Sequence, residues 1–419
     1  MSGYTAQTDA GLRILQRCDQ LATISAPSSG VARLYLTAEH RKAAELLQNW
    51  MIEAGMSARI DEVGNVIGKY ASQSGNGPYL MLGSHFDSVI DAGKYDGPLG
   101  VITAIDCVAR LKEVNKRLPI GLEVVAFGDE EGTRFATALA GSSAITGSFG
   151  DAHFNAKDSH GISVEEALKH FGLDPSKVPH AAHSSTDVIG YVEVHIEQGP
   201  VLEAESKPVG VVTGIFGQTR AKVTFKGAPN HAGTVPMRLR HDPLLAACEF
   251  CLVVERVAKS HSDTVATVGQ FLALPGAMNI IPGAVELSID VRSALDGVRT
   301  SCFDEIVASG QSIARKRGVE FDAKKLIDLN ACPCSPVLVE KISSAIQSLG
   351  ERPLLMPSGA GHDGMAMSKL TDIGMIFVRC DRGISHSPEE SVKIEDVSVA
   401  AEVMYKLICD YAPGEKSVP

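Results

Sequence analysis

The stretch GSHFDSVIDAGKYDG, residues 83–97, follows the apolar run YLML and delivers one histidine and three aspartates among glycines. Chemistry at the end of a buried strand needs such residues; an ordinary polar loop also contains them. Similar endings recur. LEVVAFGDEEG closes an apolar run with Asp129, Glu130 and Glu131. YVEVHIEQG ends in His195 and Glu197, and GISHSPEE carries His386. Imidazoles and carboxylates from four segments form the ligand set of divalent ions such as Zn²⁺ and Mn²⁺. One ion takes three or four of these groups. Five, with one carboxylate shared, suit two ions roughly 3.5–4 Å apart. A lone histidine at a strand end is usually a hydrogen-bonded core or loop residue, and a DEE run is usually a solvated corner. Four such elements, each closing an apolar strand or flanked by glycine, favour a site. Eight other histidines, among them His153, His180, His183 and His261, lie in polar stretches and are read as surface residues.

The elements that must position these groups follow from periodicity. Residues 35–55 have apolar residues at helical spacing, ending near Gly55, with the single Trp50 on the inner face. SARIDEVGNVIGKY reads as two strands around a turn at Gly64–Asn65. YLMLGSHFD is a short buried strand, residues 97–111 a helix with Gly and Pro at its start, and LEVVAF a strand. ATALAGSSAITG is rich in small residues and reads as helix. Alternating strand and helix imply parallel pairing, with sites beyond the carboxyl ends of the strands. Both acid-rich stretches fall there. Residues 151–190 are polar and irregular, with helical character at 163–171.

From residue 214 the texture changes. TRAKVTFKG alternates, 242–259 is helical, and TVATVGQFLAL and AVELSIDVRS are strands. Residues 300–317 are helical and GVEFDAKKL is a last strand. This β-α-β-β-α-β order is a split βαβ, or ferredoxin-like, unit, with helices expected on one face of its sheet. The expected division is a first domain of 1–213 and 331–419 with a second domain, 214–330, inserted. MIFVRC and 395–411 complete the first as strand and helix.

The 419-residue length suits two domains. A net charge of −11 argues against nucleic-acid or anionic-membrane partners, which need a basic surface. No apolar run nears the roughly 20 residues that span a bilayer. The amino-terminal residues lack the basic start and apolar core of a secretory signal, so reduced thiols in the cytoplasm are the expectation for the nine cysteines. The closest pair, Cys332 and Cys334, reads as loop thiols.

GSHFDSV…GKYDG, FGDEEG, HIEQGPVLE, GAPNHAGTVPM, GAGHDGMAM and GISHSPEE, in that order, resemble the di-metal amidohydrolases of the M20 aminoacylase/carboxypeptidase group. The nearest branch is that of allantoate amidohydrolases and N-carbamoyl-L-amino acid hydrolases, with β-ureidopropionase as a relative. The resemblance implies an α/β fold: a mixed-sheet di-metal catalytic domain with an inserted ferredoxin-like dimerisation and lid domain. It implies two divalent ions per subunit, Mn²⁺ first and Zn²⁺, Co²⁺ or Ni²⁺ as alternatives, in a cytoplasmic homodimer.

Carried over by the resemblance, His85 and His195 would hold one ion, Glu131 and His386 the other, and Asp96 would bridge them. Asp87 would orient His85 through its second ring nitrogen, and Glu130 would be the general base. A strained or cis peptide is implied at Asp96–Gly97. Gln198 would meet the ureido group. His231 would reach the neighbouring subunit's site and stabilise the oxyanion. Asn279 and Arg292 would hold the substrate carboxylate, with Gly359 and His362 close to the substrate. The expected reaction is hydrolysis of a ureido C–N bond next to a carboxylate, releasing ammonia and carbon dioxide. Allantoate ranks first, an N-carbamoyl-L-amino acid or β-ureidopropionate second, and aminoacylase or dipeptidase chemistry lower.

Overall fold

Strand β3 (Tyr79–His85) is the element around which the first unit is built: its residues from Leu80 to His85 are all buried. It pairs in parallel with β4 (Gly121–Phe127) on one side and β5 (Val188–Ile196) on the other. A strand covered on both faces must be apolar along its length, and β3 and β4 are near-continuous runs of that kind. The computed structural model describes residues 2–75, 77–135 and 137–411, the side chains from residue 10 onward. These form two compact units, Met1–Thr213 with Cys334–Pro419, and Gly214–Pro333.

The larger sheet runs β1-β2-β4-β3-β5-β15-β6-β13, with β14 beside β6. Here β1 is Ser57–Ile60, β2 Val66–Tyr70, β6 Val209–Ile215, β13 Cys332–Pro333, β14 Leu355–Ser358 and β15 Ile373–Val378. The β4, β3, β5 and β15 neighbours are parallel, while β1, β2 and β6 pair antiparallel, so the sheet is mixed.

Helices α1 (Ser2–Ala22), α2 (Ala38–Glu53), α3 (Pro98–Glu113), α10 (Pro336–Ser348) and α12 (Ile394–Cys409) contribute to one apolar core with the sheet. In α2, the Thr37 side chain caps the His40 amide, and Ala43, Ala44, Leu47, Trp50 and Met51 are buried. Each fully buried large apolar side chain contributes about 1.5–3 kcal/mol.

Several expectations change. Residues 2–22, without a sequence assignment, form α1. The helix expected in ATALAGSSAITG is only α4, Ala140–Ile145; Ala136 of that stretch lies outside the described residues. In residues 151–190 the helix expected at 163–171 is present as α6 (Val164–His170), and a short α5 (Asp151–Phe154) and a 3₁₀ turn at Pro175–Ala181 are added to it. Two of the histidines read as surface residues are not. His40 is fully buried, taking the Leu36 amide on Nδ1 and bonding the Gly64 carbonyl through Nε2. His183 bonds the buried Glu123. Cys332 stands in the short strand Cys332–Pro333 rather than a loop, Cys334 lies in the loop that follows it, and both are buried.

The second unit is a four-stranded antiparallel sheet, order β12-β7-β11-β9. The strands are β7 (Gly217–Lys226), β9 (Thr264–Leu274), β11 (Ala284–Ser293) and β12 (Glu320–Leu329), with helices α8 (Pro243–Ser260) and α9 (Asp296–Arg317). Alternate residues of β7 and β11 are buried, as a sheet covered on one face requires. Val223, Phe225, Leu287 and Ile289 pack there with Phe250, Val254, Phe303 and Ile306 from the helices. A short pair, β8 (Asn230–His231) with β10 (Ile280–Ile281), is added to this order. Among the described residues no helix is long and apolar enough to cross a membrane.

Candidate metal centre

Four parallel strands deliver the ligands. His85 is the last residue of β3 and sits level with Phe127, the last of β4. His195 in β5 is level with Phe377 in β15. The chain after β4 carries Asp129, Glu130 and Glu131, and the chain after β15 carries His386. Asp96 returns to the end of β3 just before α3. Gly97 makes that return possible. Its φ is +83°, and a Cβ there would lie 2.5 Å from the His85 ring. The Asp96–Gly97 peptide is trans, against the cis alternative.

Asp96 is the centre of the arrangement, buried, with its two oxygens turned to different partners. Oδ1 lies 3.1 Å from His195 Nε2 and 3.5 Å from His85 Nε2. Oδ2 lies 3.2 Å from His386 Nε2, which is itself 3.4 Å from Glu131 Oε1. His85, Asp96 and His195 offer ligand atoms within 4.8 Å of one another, and so do Asp96, Glu131 and His386. The two groups share only Asp96.

The imidazole tautomers add a second argument. His195 Nδ1 lies 2.9 Å from the Ile196 carbonyl and His85 Nδ1 3.2 Å from the Asp87 carbonyl. A carbonyl only accepts, so both Nδ1 atoms carry protons. In the neutral rings the two Nε2 lone pairs then face each other across 3.4 Å, beside an Asp96 Oδ1 that has no hydrogen-bond partner. Converging lone pairs and an orphaned carboxylate oxygen repel unless a proton or a metal ion lies among them. The residues therefore fit a divalent ion on His85, Asp96 and His195, and a second on Asp96, Glu131 and His386.

The local field has the same sign. Burial disfavours charge on His85 and His195, but the carboxylates Glu130, Asp87 and Asp96 outweigh it and raise His85 well above the usual range; Asp96 and Glu193 raise His195. The Asp96 bond raises His386 to about 9. Burial pushes Glu130 well above the carboxylate range against the pull of His85, and raises Glu131 to about 7. Such a site stabilises positive charge.

The remaining residues take distinct places. Asp87 Oδ1 lies 3.6 Å from His85 Nδ1, too far for a hydrogen bond. Its carboxylate instead accepts the Glu130 and Glu131 amides at 3.1 and 3.2 Å, fixing the turn after β4. Gln198, at φ +56°, donates Nε2 to Asp96 Oδ2 at 2.8 Å and so belongs to the cluster. Glu197 does not: it accepts the Val201 and Leu202 amides and caps α7 (Val201–Ala204). His362 is buried, its ring 4.5 Å from that of His195 and its Nε2 2.8 Å from the Ser358 hydroxyl. Burial and His195 hold it well below the usual range, hence neutral. Gly359 has nothing within 4 Å of where a Cβ would stand. Glu193, His195 and His362 also cluster, but Glu193 already accepts from Ser84 and Tyr191, and an ion there would have to take His195 from the first group.

His231, Asn279 and Arg292 stand on the second unit. His231 Nδ1 accepts the Gly233 amide at 3.0 Å, so the neutral ring carries its proton on the exposed Nε2. The Asn279 carbonyl accepts the Ala232 amide, tying it to the His231 hairpin. Arg292 makes a bidentate pair with Asp290, which also receives Arg220 and Gln218.

Sequence reading missed Asn65, which takes the Gly128 amide and bonds the Gly141 carbonyl, bracing the turn after β4. It also missed Ser385 and Glu390 beside Asp96. Only the last two had a signal, within GISHSPEE.

Residues 81–410 match peptidase family M20/M25/M40, and the chain belongs to that family. The N-carbamoyl-L-amino acid amidohydrolase of Geobacillus stearothermophilus is 41% identical over 97% of this chain and 99% of its own length. The allantoate deiminase of Arabidopsis thaliana is 40% identical over 92% of this chain and 79% of its own. A solved amidase of the hydantoinase/carbamoylase family from Burkholderia multivorans superposes with a TM-score of 0.91 at 31% identity, covering 96% of this chain and 98% of that one.

Proposed function

We propose that the chain is a cytoplasmic, homodimeric amidohydrolase that cleaves the ureido C–N bond next to a carboxylate, allantoate first and N-carbamoyl-L-amino acids second. The observation that carries the reading is Asp96, its two oxygens turned to two separate ligand groups. Relatives with both activities stand at nearly equal identity, and both substrates place a ureido group on the carbon beside a carboxylate.

His85, Asp96 and His195 would hold one divalent ion and Asp96, Glu131 and His386 the other, Mn²⁺ first. Such a pair polarises the ureido carbonyl and lowers the pKa of bound water. Glu130 takes the proton of the attacking water and passes it to the leaving nitrogen. Asp87 fixes the Glu130 backbone. The Nε2–H of His231, from the neighbouring subunit, faces the developing oxyanion. Arg292 and Asn279 hold the substrate carboxylate, Gln198 contacts the ureido group, and Gly359 and His362 line its approach.

The unit of 214–330 serves as dimerisation and lid domain in this reading. Its edge strand β9 exposes Val265, Phe271, Leu272 and Leu274, and α8 exposes Leu245 and Leu252. A long apolar edge of this kind calls for a partner.

Ammonia release by metal-stripped protein, with and without Mn²⁺, on allantoate beside an N-carbamoyl-L-amino acid tests the reading. Mn²⁺-dependent release favouring allantoate is expected. Faster release from the carbamoyl amino acid reverses the ranking, and turnover of dipeptides or N-acetyl amino acids alone overturns the ureido assignment.

A further inference from the structure

We propose that Glu390 is a positioning residue for the shared carboxylate: it holds the backbone turn that presents Asp96 to both ligand groups. The inference rests on the reading of Asp96 as an ion ligand.

Glu390 is 6% exposed. Its Oε1 accepts two successive backbone amides, Tyr95 at 2.8 Å and Asp96 at 3.2 Å. Ser385 lies between the two, its one hydroxyl proton going to Asp96 Oδ2 at 2.8 Å, with Glu390 Oε2 3.3 Å away. Asp96 is thus fixed from both ends, by its amide through Oε1 and by its carboxylate through Ser385. The turn is shaped to receive this side chain: a Cβ on Gly93 would stand 2.3 Å from Glu390 Oε1 and 2.4 Å from its Cδ. Glu390 contacts the chain before α3 from 294 residues away, across the gap between the loop preceding α12 and the end of β3.

Groups that orient a ligand from behind typically change ion affinity 10–100-fold when removed. What Glu390 supplies is one oxygen at a fixed reach that accepts both amides, which separates three variants. In Glu390→Gln the amide oxygen still accepts both backbone amides. In Glu390→Ala no acceptor remains. In Glu390→Asp the acceptor falls one methylene short.

Full-length protein stripped of metal is titrated with Mn²⁺, free ion being read by electron paramagnetic resonance, and unfolding of the stripped proteins is followed in parallel. Glu390→Ala and Glu390→Asp are expected to bind Mn²⁺ about 10–100-fold more weakly. Glu390→Gln should stay within about threefold of wild type, because the positioning bonds survive. Gly93→Ala should reproduce the Glu390→Ala loss with Glu390 still present. Should Glu390→Ala fail to fold, the Asp and Gln pair carries the comparison. Wild-type affinity in Glu390→Asp or Glu390→Ala overturns the proposal. An equal loss in Glu390→Gln overturns it too, since the charge and not the acceptor would then be the cause. Wild-type protein that binds no Mn²⁺ defeats the underlying reading of Asp96 first, whatever the variants do.

Discussion

Glu123 and Asp96 are both buried carboxylates of the first unit, and both face histidine. Glu123, toward the amino end of β4, lies 2.6 Å from His183 Nε2 and 3.2 Å from Lys69 Nζ. One acid meets two bases. His183 Nδ1 is 2.9 Å from the Ala181 carbonyl, so both ring nitrogens have acceptors. Asp96, at the carboxyl ends of the strands, meets three imidazoles together with Glu131, and Glu130 joins the same cluster. There three carboxylates and three imidazoles crowd together and no lysine or arginine among the described residues joins them, whereas Glu123 has Lys69 beside its histidine. The same residue types make a closed structural pair at one end of the sheet and an open ligand set at the other. What separates them is whether the protein supplies the counter-charge itself.

Changing the open end should abolish function without unfolding the protein. Glu130→Gln removes the proposed proton acceptor and leaves the proposed ligands of both ions, His85, Asp96, Glu131, His195 and His386, in place. The expected outcome is a fall of about 10²–10⁴ in kcat with ion binding and oligomeric mass unchanged from wild type, measured by steady-state ammonia release beside a Mn²⁺ titration. Retained activity would remove Glu130 from the role of base. The next effect is linkage. An ion that binds only the folded chain stabilises it by about 2.7 kcal/mol at a hundred times its Kd. Adding Mn²⁺ to stripped wild type should therefore raise Tm, and Asp96→Asn should lose most of that rise. An equal rise in both would place the ions elsewhere.

Much of the open end is legible in the sequence, because its residues follow apolar runs that must be buried strands. A histidine or acid directly after such a run has nowhere to go but the strand's carboxyl end, so His85, His195 and the 129–131 turn lie in one place. The closed pair is not legible. Glu123 sits inside the run LEVVAF, and His183 lies in a polar stretch 60 residues away. Only the pairing of β4 with β2 and the path of residues 182–187 bring them together. His40 and Asn65 escaped for the same reason: each is polar in type but buried against backbone groups set by distant chain. Arg292 was legible as a strand residue, whereas its bidentate pairing with Asp290 needs the geometry of β11.

Changing the closed end should do the reverse. His183→Ala leaves Glu123 buried with Lys69 as its remaining ionic partner. Loss of a hydrogen bond to a buried charged group costs about 1–3 kcal/mol, so chemical denaturation should show a stability loss of that order with kcat and Mn²⁺ affinity unchanged. A kcat that falls in parallel would mean that the two ends are coupled and the comparison is wrong.

The smallest effect is the pH dependence of that pair. Burial lowers His183, but the Glu123 bond outweighs it and the net direction is upward. Burial raises Glu123, and His183 with Lys69 bring it below its ordinary value. A base raised on folding contributes stability that is full below its unfolded value, about 6.5, and fades as pH climbs through the higher folded value. An acid lowered on folding contributes above about 4.3 and loses that contribution as pH falls through the lower folded value. The pair is therefore worth most between those two ordinary values. In His183→Gln the side chain still donates to Glu123 but never charges. The Tm difference between wild type and this variant should be largest near pH 5.5 and shrink toward pH 9, while titrations at the metal centre, common to both proteins, cancel. A difference that stays constant over that range would show that His183 is neutral in the folded protein and that its bond to Glu123 carries no charge.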